Sequence, residues 1–137
     1  MSEQNKALLK RWFEEVWNQG SNEAIDELLD DEVVIHGLAG PDGKDVQGSG
    51  AFREFHRQFR GAFPDISITV EDVIAEGDRV VARCSVRGNH TGESLGIAAS
   101  NSPIEFGGIA IVKIRDGKFV EAWNNFDFLT MNRQLGI

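Results

Sequence analysis

Apolar residues recur along the chain with two periods, and the switch between them falls at Pro64. Before it the spacing is helical. Leu8, Leu9, Trp12, Phe13, Val16 and Trp17 come at three- and four-residue intervals, which predicts an amphipathic helix closing near Gly20. Ser21 or Asn22 can cap a second, short helix over Glu23 to Leu29. Val33 to Leu38, VVIHGL, reads as a short strand. The stretch AGPDGKDVQGSG, residues 39–50, reads as a loop from its Gly, Pro and Asp content. A third helix is expected from about Gly50 to Phe63. Phe52, Phe55, Phe59 and Phe63 form its apolar face, and Pro64 stops it.

After Pro64 apolar and polar residues alternate. ISITVEDVIAEGDRVVARCSVRGNHTG turns at Glu76-Gly77-Asp78 and predicts a long hairpin. PIEFGGIAIVKIRDGKFVEAW predicts a second, turning at Asp116-Gly117. Phe128 to Leu135 reads as a short helix. Helix, helix, strand, helix, then three or four long antiparallel strands define a single α+β domain over residues 1–137. The expected architecture is a cone: a curved antiparallel sheet wrapped on three N-terminal helices, open at one end. Gly107-Gly108 is the expected place for a bulge that bends the sheet. Apolar residues on both faces of VVARCSV and IAIVKI would leave an outer apolar face, which predicts a homodimer through the sheet.

Composition narrows the function classes. The chain has 137 residues, 41% of them hydrophobic, and a formal net charge of −8. That charge argues against nucleic acid, which needs clustered Lys and Arg. Arg53, Arg57 and Arg60 share a helix face with Glu54 and read as a solvated face. No apolar run approaches the ~20 residues of a membrane span, and the N-terminus has no secretory h-region. Cys84 is the single cysteine, so no internal disulfide forms and a reducing cytoplasm is the simplest setting. His36, His56 and His90 lie far apart, without the close pairs of a metal site, so no metal is expected. No phosphate loop, dinucleotide fingerprint or nucleophile elbow is present, so no cofactor is expected either.

The densest candidate chemistry is EAWNNFDFLTMNRQLG, which starts at Glu121. Strand alternation puts Glu121, Trp123, Asn125 and Asp127 on one face. If Trp123 points into the cone, Asp127 lies in a dry cavity, and burial raises its pKa toward neutrality. Such a carboxylate can serve as both acid and base. The alternative is that Asp127 caps the helix starting at Phe128. Asn125 would hold Asp127 or the substrate, or satisfy backbone at the strand end. His36 alternates with Val34 and Leu38; it either polarises a substrate carbonyl or is a hydrogen-bonded core residue. His56 edges the pocket or sits on the helix surface. His90 contacts substrate or holds its own turn. Trp12 and Phe59 are candidate apolar wall.

Several of these marks also occur together in a known family. Phe63-Pro64-Asp65, Gly88-x-His90-x-Gly92, Asp116-Gly117-Lys118, Trp123, Asp127 and Gln134-Leu135-Gly136 stand in order over nearly the whole chain. In this the sequence resembles the SnoaL-like polyketide cyclases of the nuclear-transport-factor-2-like superfamily. The resemblance implies a conical α+β barrel with a deep apolar pocket. It implies Asp127 as the acid/base residue of an intramolecular aldol closure that uses no metal or cofactor, with a small hydrophobic carbonyl compound as substrate. Where relatives often carry a Pro-Thr-Gly-like turn, this chain has Ala98-Ala99-Ser100-Asn101-Ser102-Pro103, a segment expected to border the pocket mouth, so the resemblance does not carry the substrate over. Other functions of the same cone remain open. An epoxide hydrolase needs an Asp–Arg–Asp set, for which Arg83 or Arg87 could supply the Arg. A ketosteroid-isomerase-like enzyme uses a Tyr-containing oxyanion hole, and this chain has no Tyr. A non-catalytic small-molecule-binding module needs neither.

Overall fold

A computed structural model describes residues 2–39 and 45–137; residues 40–44, part of the stretch expected as loop, lie outside them. The chain begins with α1, Ser2–Arg11, which runs straight into a π-helical segment, Trp12–Asn18. Next come α2 (Asn22–Leu28), β1 (Leu29–Ala39), β2 (Asp45–Gln47) and α3 (Ser49–Ala62). The second half holds β3 (Ser67–Glu76), β4 (Arg79–Asn89), β5 (Pro103–Arg115), β6 (Lys118–Phe126) and α4 (Phe128–Leu135). The helices and hairpins fall where the periodicity places them. Ser21 caps α2, its hydroxyl accepting from the Ala24 N–H at 3.1 Å. β2 lies inside the expected loop. β1 starts four residues before the expected strand, because Asp30, Asp31 and Glu32 hide a paired segment behind poor strand formers.

The strands form one curved, unclosed sheet in the order β2-β1-β6-β5-β4-β3. Its pairs are antiparallel except β1 and β6, which run parallel with Ile35 beside Ala122 and His36 beside Trp123. The helices fill the concave side. Leu9, Trp12, Val16, Ile25, Phe52 and Phe63 are all buried there, which supplies most of the driving force for the fold.

The π-helical segment is held from two sides. Its wider turn leaves carbonyls without their usual partners. His56 bonds Val16 O at 2.6 Å, and Arg60 donates through Nε to Trp17 O at 3.0 Å. Asn18 behaves like a strand neighbour of β3: its Nδ2 donates to Ile68 O at 2.9 Å and its Oδ1 accepts from Ile68 N at 2.6 Å.

The bulge expected at Gly107-Gly108 is not there; β4 and β5 stay in register through both glycines. Gly108 instead makes room for a ring, since a Cβ on it would come within 2.2 Å of Phe126. The bend that matters for the site lies on β6. Glu121 pairs with Lys113, but Phe119 pairs with Ile114, so Val120 is an extra residue. Phe119 and Ala122 are therefore both buried on the inner face. Beyond the bulge Asn124 and Phe126 continue that face, while Glu121, Trp123 and Asn125 take the outer one. Alternation groups these residues as expected, but the expectation that the large apolar Trp123 marks the inner face is reversed: Ala122, Asn124 and Phe126 line the inside.

Candidate functional site

The concave side of the sheet and the helices enclose a cavity of about 60 Å³. Trp12, Phe13 and Trp17 of the π-helical segment, Phe52 and Phe59 of α3, and Phe119 of β6 form much of its wall. The rings interlock: Trp12 meets Phe52 at 5.0 Å and Phe119 at 5.3 Å, and Trp17 meets Phe59 edge-on at 5.8 Å. Among the described residues every lining side chain is aliphatic or aromatic except Asn124. Most of the lining residues are buried; Phe55, Asn124, Phe126 and Phe128 are only half-buried, which places the mouth at these four. The volume is below the ~150 Å³ of an apolar cavity that takes a benzene-sized guest. A ligand of that size or larger must displace rim side chains. Phe128 stands among them with its ring neighbours Phe106, Phe126 and Phe59 at 5.9, 6.3 and 6.4 Å.

Asn124 is the polar group that the choice of the Trp123 face as the inner one had turned outward. Its Nδ2 donates to His36 O at 3.2 Å. That bond fixes the amide orientation, since a carbonyl cannot accept from another carbonyl. One N–H and the Oδ1 acceptor remain for a ligand. The geometry depends on Gly37, whose φ is +85° and on which a Cβ would lie 1.9 Å from Asn124 O.

Two of the site residues expected from the sequence, Trp12 and Phe59, line the cavity. The others do not. Asp127 is exposed and caps α4, accepting from Thr130 N at 3.0 Å and Thr130 Oγ1 at 2.6 Å. These bonds favour the carboxylate and hold its pKa below the usual range, opposite to the expected rise. The role the resemblance implies for it needs a carboxyl group inside the cavity, and the first turn of α4 draws it outward instead. Asn125 is exposed on the outer face.

His36 also faces outward. Its Nε2 meets Glu121 at 2.8 Å and its Nδ1 meets Asp45 at 2.6 Å, while its ring stacks on Trp123 at 5.7 Å. The hydrogen bond to Glu121, then that to Asp45, raises its pKa. Both ring nitrogens are engaged, so this imidazole ties β2, β1 and β6 together and is not free to polarise a carbonyl in the cavity. Arg79 also lies over the Trp123 ring, 5.0 Å from its centroid.

His56 is buried between Trp17 and Phe52, and burial lowers its pKa. It braces the π-helical segment and does not line the cavity. His90 is fully buried beside the Phe63 ring; its Nδ1 accepts from Ser100 N at 3.1 Å, so the proton sits on Nε2, which has no hydrogen-bond partner among the described residues. It pins the 90–102 segment and lies outside the cavity wall. Arg83 and Arg87 both stand on the outer face, paired with Asp72 at 2.7 Å and Glu105 at 3.1 Å, so neither supplies an inward Asp–Arg–Asp set. Among the described residues no group of His, Cys, Asp and Glu stands together to hold a metal. No described helix is long and apolar enough to cross a membrane.

Comparison with known proteins agrees with this fold. The family model of the SnoaL-like polyketide cyclases matches residues 7–135. Among solved structures, IdmH of Streptomyces antibioticus, provisionally named a polyketide cyclase, is 32% identical with a TM-score of 0.83, over 98% of this chain and 99% of that one. TsrD of Streptomyces laurentii is 30% identical with a TM-score of 0.85, over 99% and 97% of the two chains. AclR of Streptomyces galilaeus, provisionally named a hydroxylase, is 25% identical with a TM-score of 0.84, over 99% and 83%. No curated protein matches the sequence.

Proposed function

The chain belongs to the SnoaL-like polyketide cyclase family, and from that membership and the make-up of the cavity we propose that it binds a small, mostly hydrocarbon carbonyl compound inside the cone and promotes its ring closure or isomerisation. The observation that carries this reading is the cavity wall, aromatic and aliphatic throughout with one amide at the mouth. No described side chain that lines it takes or gives a proton near neutrality. The contribution of the protein is then confinement and dehydration. Holding the two reacting ends of a flexible chain together can supply roughly 7–11 kcal/mol of the barrier. The free N–H of Asn124 adds a donor to a carbonyl whose oxygen gains charge. Any proton moves between groups of the substrate itself or through water at the mouth.

Saturable binding of the neutral dye N-phenylnaphthylamine is expected, with energy transfer from tryptophan that persists in Trp123→Phe, because Trp12 and Trp17 are the donors. No saturable binding, or transfer lost with Trp123, contradicts the reading. The lack of a lining acid favours one second reading on the same cavity, a binding module without turnover. Failure of every carbonyl substrate to react while the dye still binds would select it. Two copies are further proposed to pair through the outer sheet face, where Val81, Ile109, Ile111 and Trp123 gather and Ile109 is 45% exposed. A wild-type dimer that sediments as a monomer after Ile109→Lys supports this; a wild-type monomer contradicts it.

A further inference from the structure

The cavity has a polarity along its length. Its depth is bounded by buried aliphatic and aromatic side chains, and the one amide among the described lining residues stands at the rim beside Phe55, Phe126 and Phe128. A ligand oxygen placed deep in such a cavity gives up its hydrogen bonds to water and finds few replacements. An oxygen placed at the rim keeps a partner, the Asn124 N–H or Oδ1, and stays close to solvent. The orientation of that amide is fixed by its bond to His36 O, so the rim offers one donor and one acceptor in set directions. We infer that the ligand is an amphiphile carrying its oxygen function at one end of a hydrocarbon body, held end-on with the oxygen at the mouth against Asn124 and the body inside.

This inference rests on the proposed use of the cavity for a small carbonyl compound. Two groups inside the wall compete with it: the indole N–H groups of Trp12 and Trp17, which could hold an oxygen at depth.

Methyl pentyl ketone and dipropyl ketone separate the possibilities. They are isomers of nearly equal hydrophobicity, with the carbonyl near the end of one and in the middle of the other. Each is titrated against bound N-phenylnaphthylamine in wild-type protein and in Asn124→Leu. Tighter binding of methyl pentyl ketone, by about fivefold, is expected from one added hydrogen bond. In Asn124→Leu the preference disappears while both ketones still displace the dye. Equal affinities in the wild type overturn the inference and leave the cavity reading intact. So does a preference that survives Asn124→Leu, which assigns the oxygen to an indole. Displacement by neither ketone, with the dye itself unbound, fails the underlying reading as well. Asn124→Gln, which keeps the amide on a longer stem, serves as the control for loss of fold and is expected to retain part of the preference.

Discussion

The carboxylate of Asp127 accepts from both the backbone N–H and the hydroxyl of Thr130, at 3.0 and 2.6 Å. An acid between two phenylalanines thus closes a helix start, and the two rings beside it, Phe126 and Phe128, both line the cavity. Asp127→Ala should lower the melting temperature. Asp127→Asn, an equally good cap, should lower it little and should leave ligand binding and turnover near wild type. The folded-state pKa is depressed, so the cap's contribution is present above the unfolded value of ~3.9 and is lost as pH falls through the folded one. Loss of turnover in a folded Asp127→Asn protein would return this residue to the chemistry.

His36 and His56 should act on stability in opposite senses over one pH window. The pKa of His36 is raised by Glu121 and Asp45. Its contribution is fully present below the unfolded value of ~6.5 and is lost as pH rises through the folded value. The pKa of His56 is lowered by burial. As pH falls below ~6.5 the unfolded chain takes up this proton first, so His56 weakens the fold toward acid. Melting curves from about pH 5 to pH 8 for His36→Gln and His56→Gln check this. The gap between wild type and His36→Gln should shrink as pH rises, and the acid-side fall should flatten in His56→Gln. A pH-independent gap for His36→Gln would mean that the imidazole is not charged between its two carboxylates.

Gly37 sets the approach of β1 to β6 that carries the Asn124 amide. With φ at +85° and a Cβ 1.9 Å from Asn124 O, Gly37→Ala should destabilise by ~1–3 kcal/mol. Urea denaturation measures it. A change within error would show that the two strands can part without consequence.

Phe128 should control access to the cavity. In a Trp123→Phe background the fluorescence comes from Trp12 and Trp17, both 7% exposed. Phe128→Ala should raise acrylamide quenching several-fold, with Phe128→Leu intermediate. Unchanged quenching would move the mouth elsewhere.

Helix and hairpin periodicity carried the architecture, because Leu9 to Trp17 and Phe52 to Phe59 mark burial directly and Gly77 and Gly117 mark the turns. What periodicity could not carry is which face of β6 turns inward, and the size of Trp123 was a misleading guide to it. Counting from buried Phe119, strict alternation turns Glu121, Trp123 and Asn125 inward. The extra residue at Val120 turns Ala122, Asn124 and Phe126 inward instead. The side chains of Glu121 and Trp123 on the outer face are held by His36 and Arg79, partners that lie on β1 and β4 and have no local signal. The π-helical segment was equally hidden, because its stabilising groups, His56 and Arg60, belong to α3. The amide of Asn124 leaves one faint trace in the sequence: a polar residue between two apolar ones, Ala122 and Phe126, at the spacing of a single strand face.

The central claim is that ligand enters the hydrocarbon cavity inside the cone and leaves the outer sheet face untouched. The most direct measurement is an NMR titration of the uniformly nitrogen-labelled protein with methyl pentyl ketone, following the three indole N–H signals and the Asn124 side-chain amide. The expected result is saturable shifts of Trp12, Trp17 and Asn124 with a stationary Trp123. Shifts confined to Trp123, or none at saturating ketone, would contradict it.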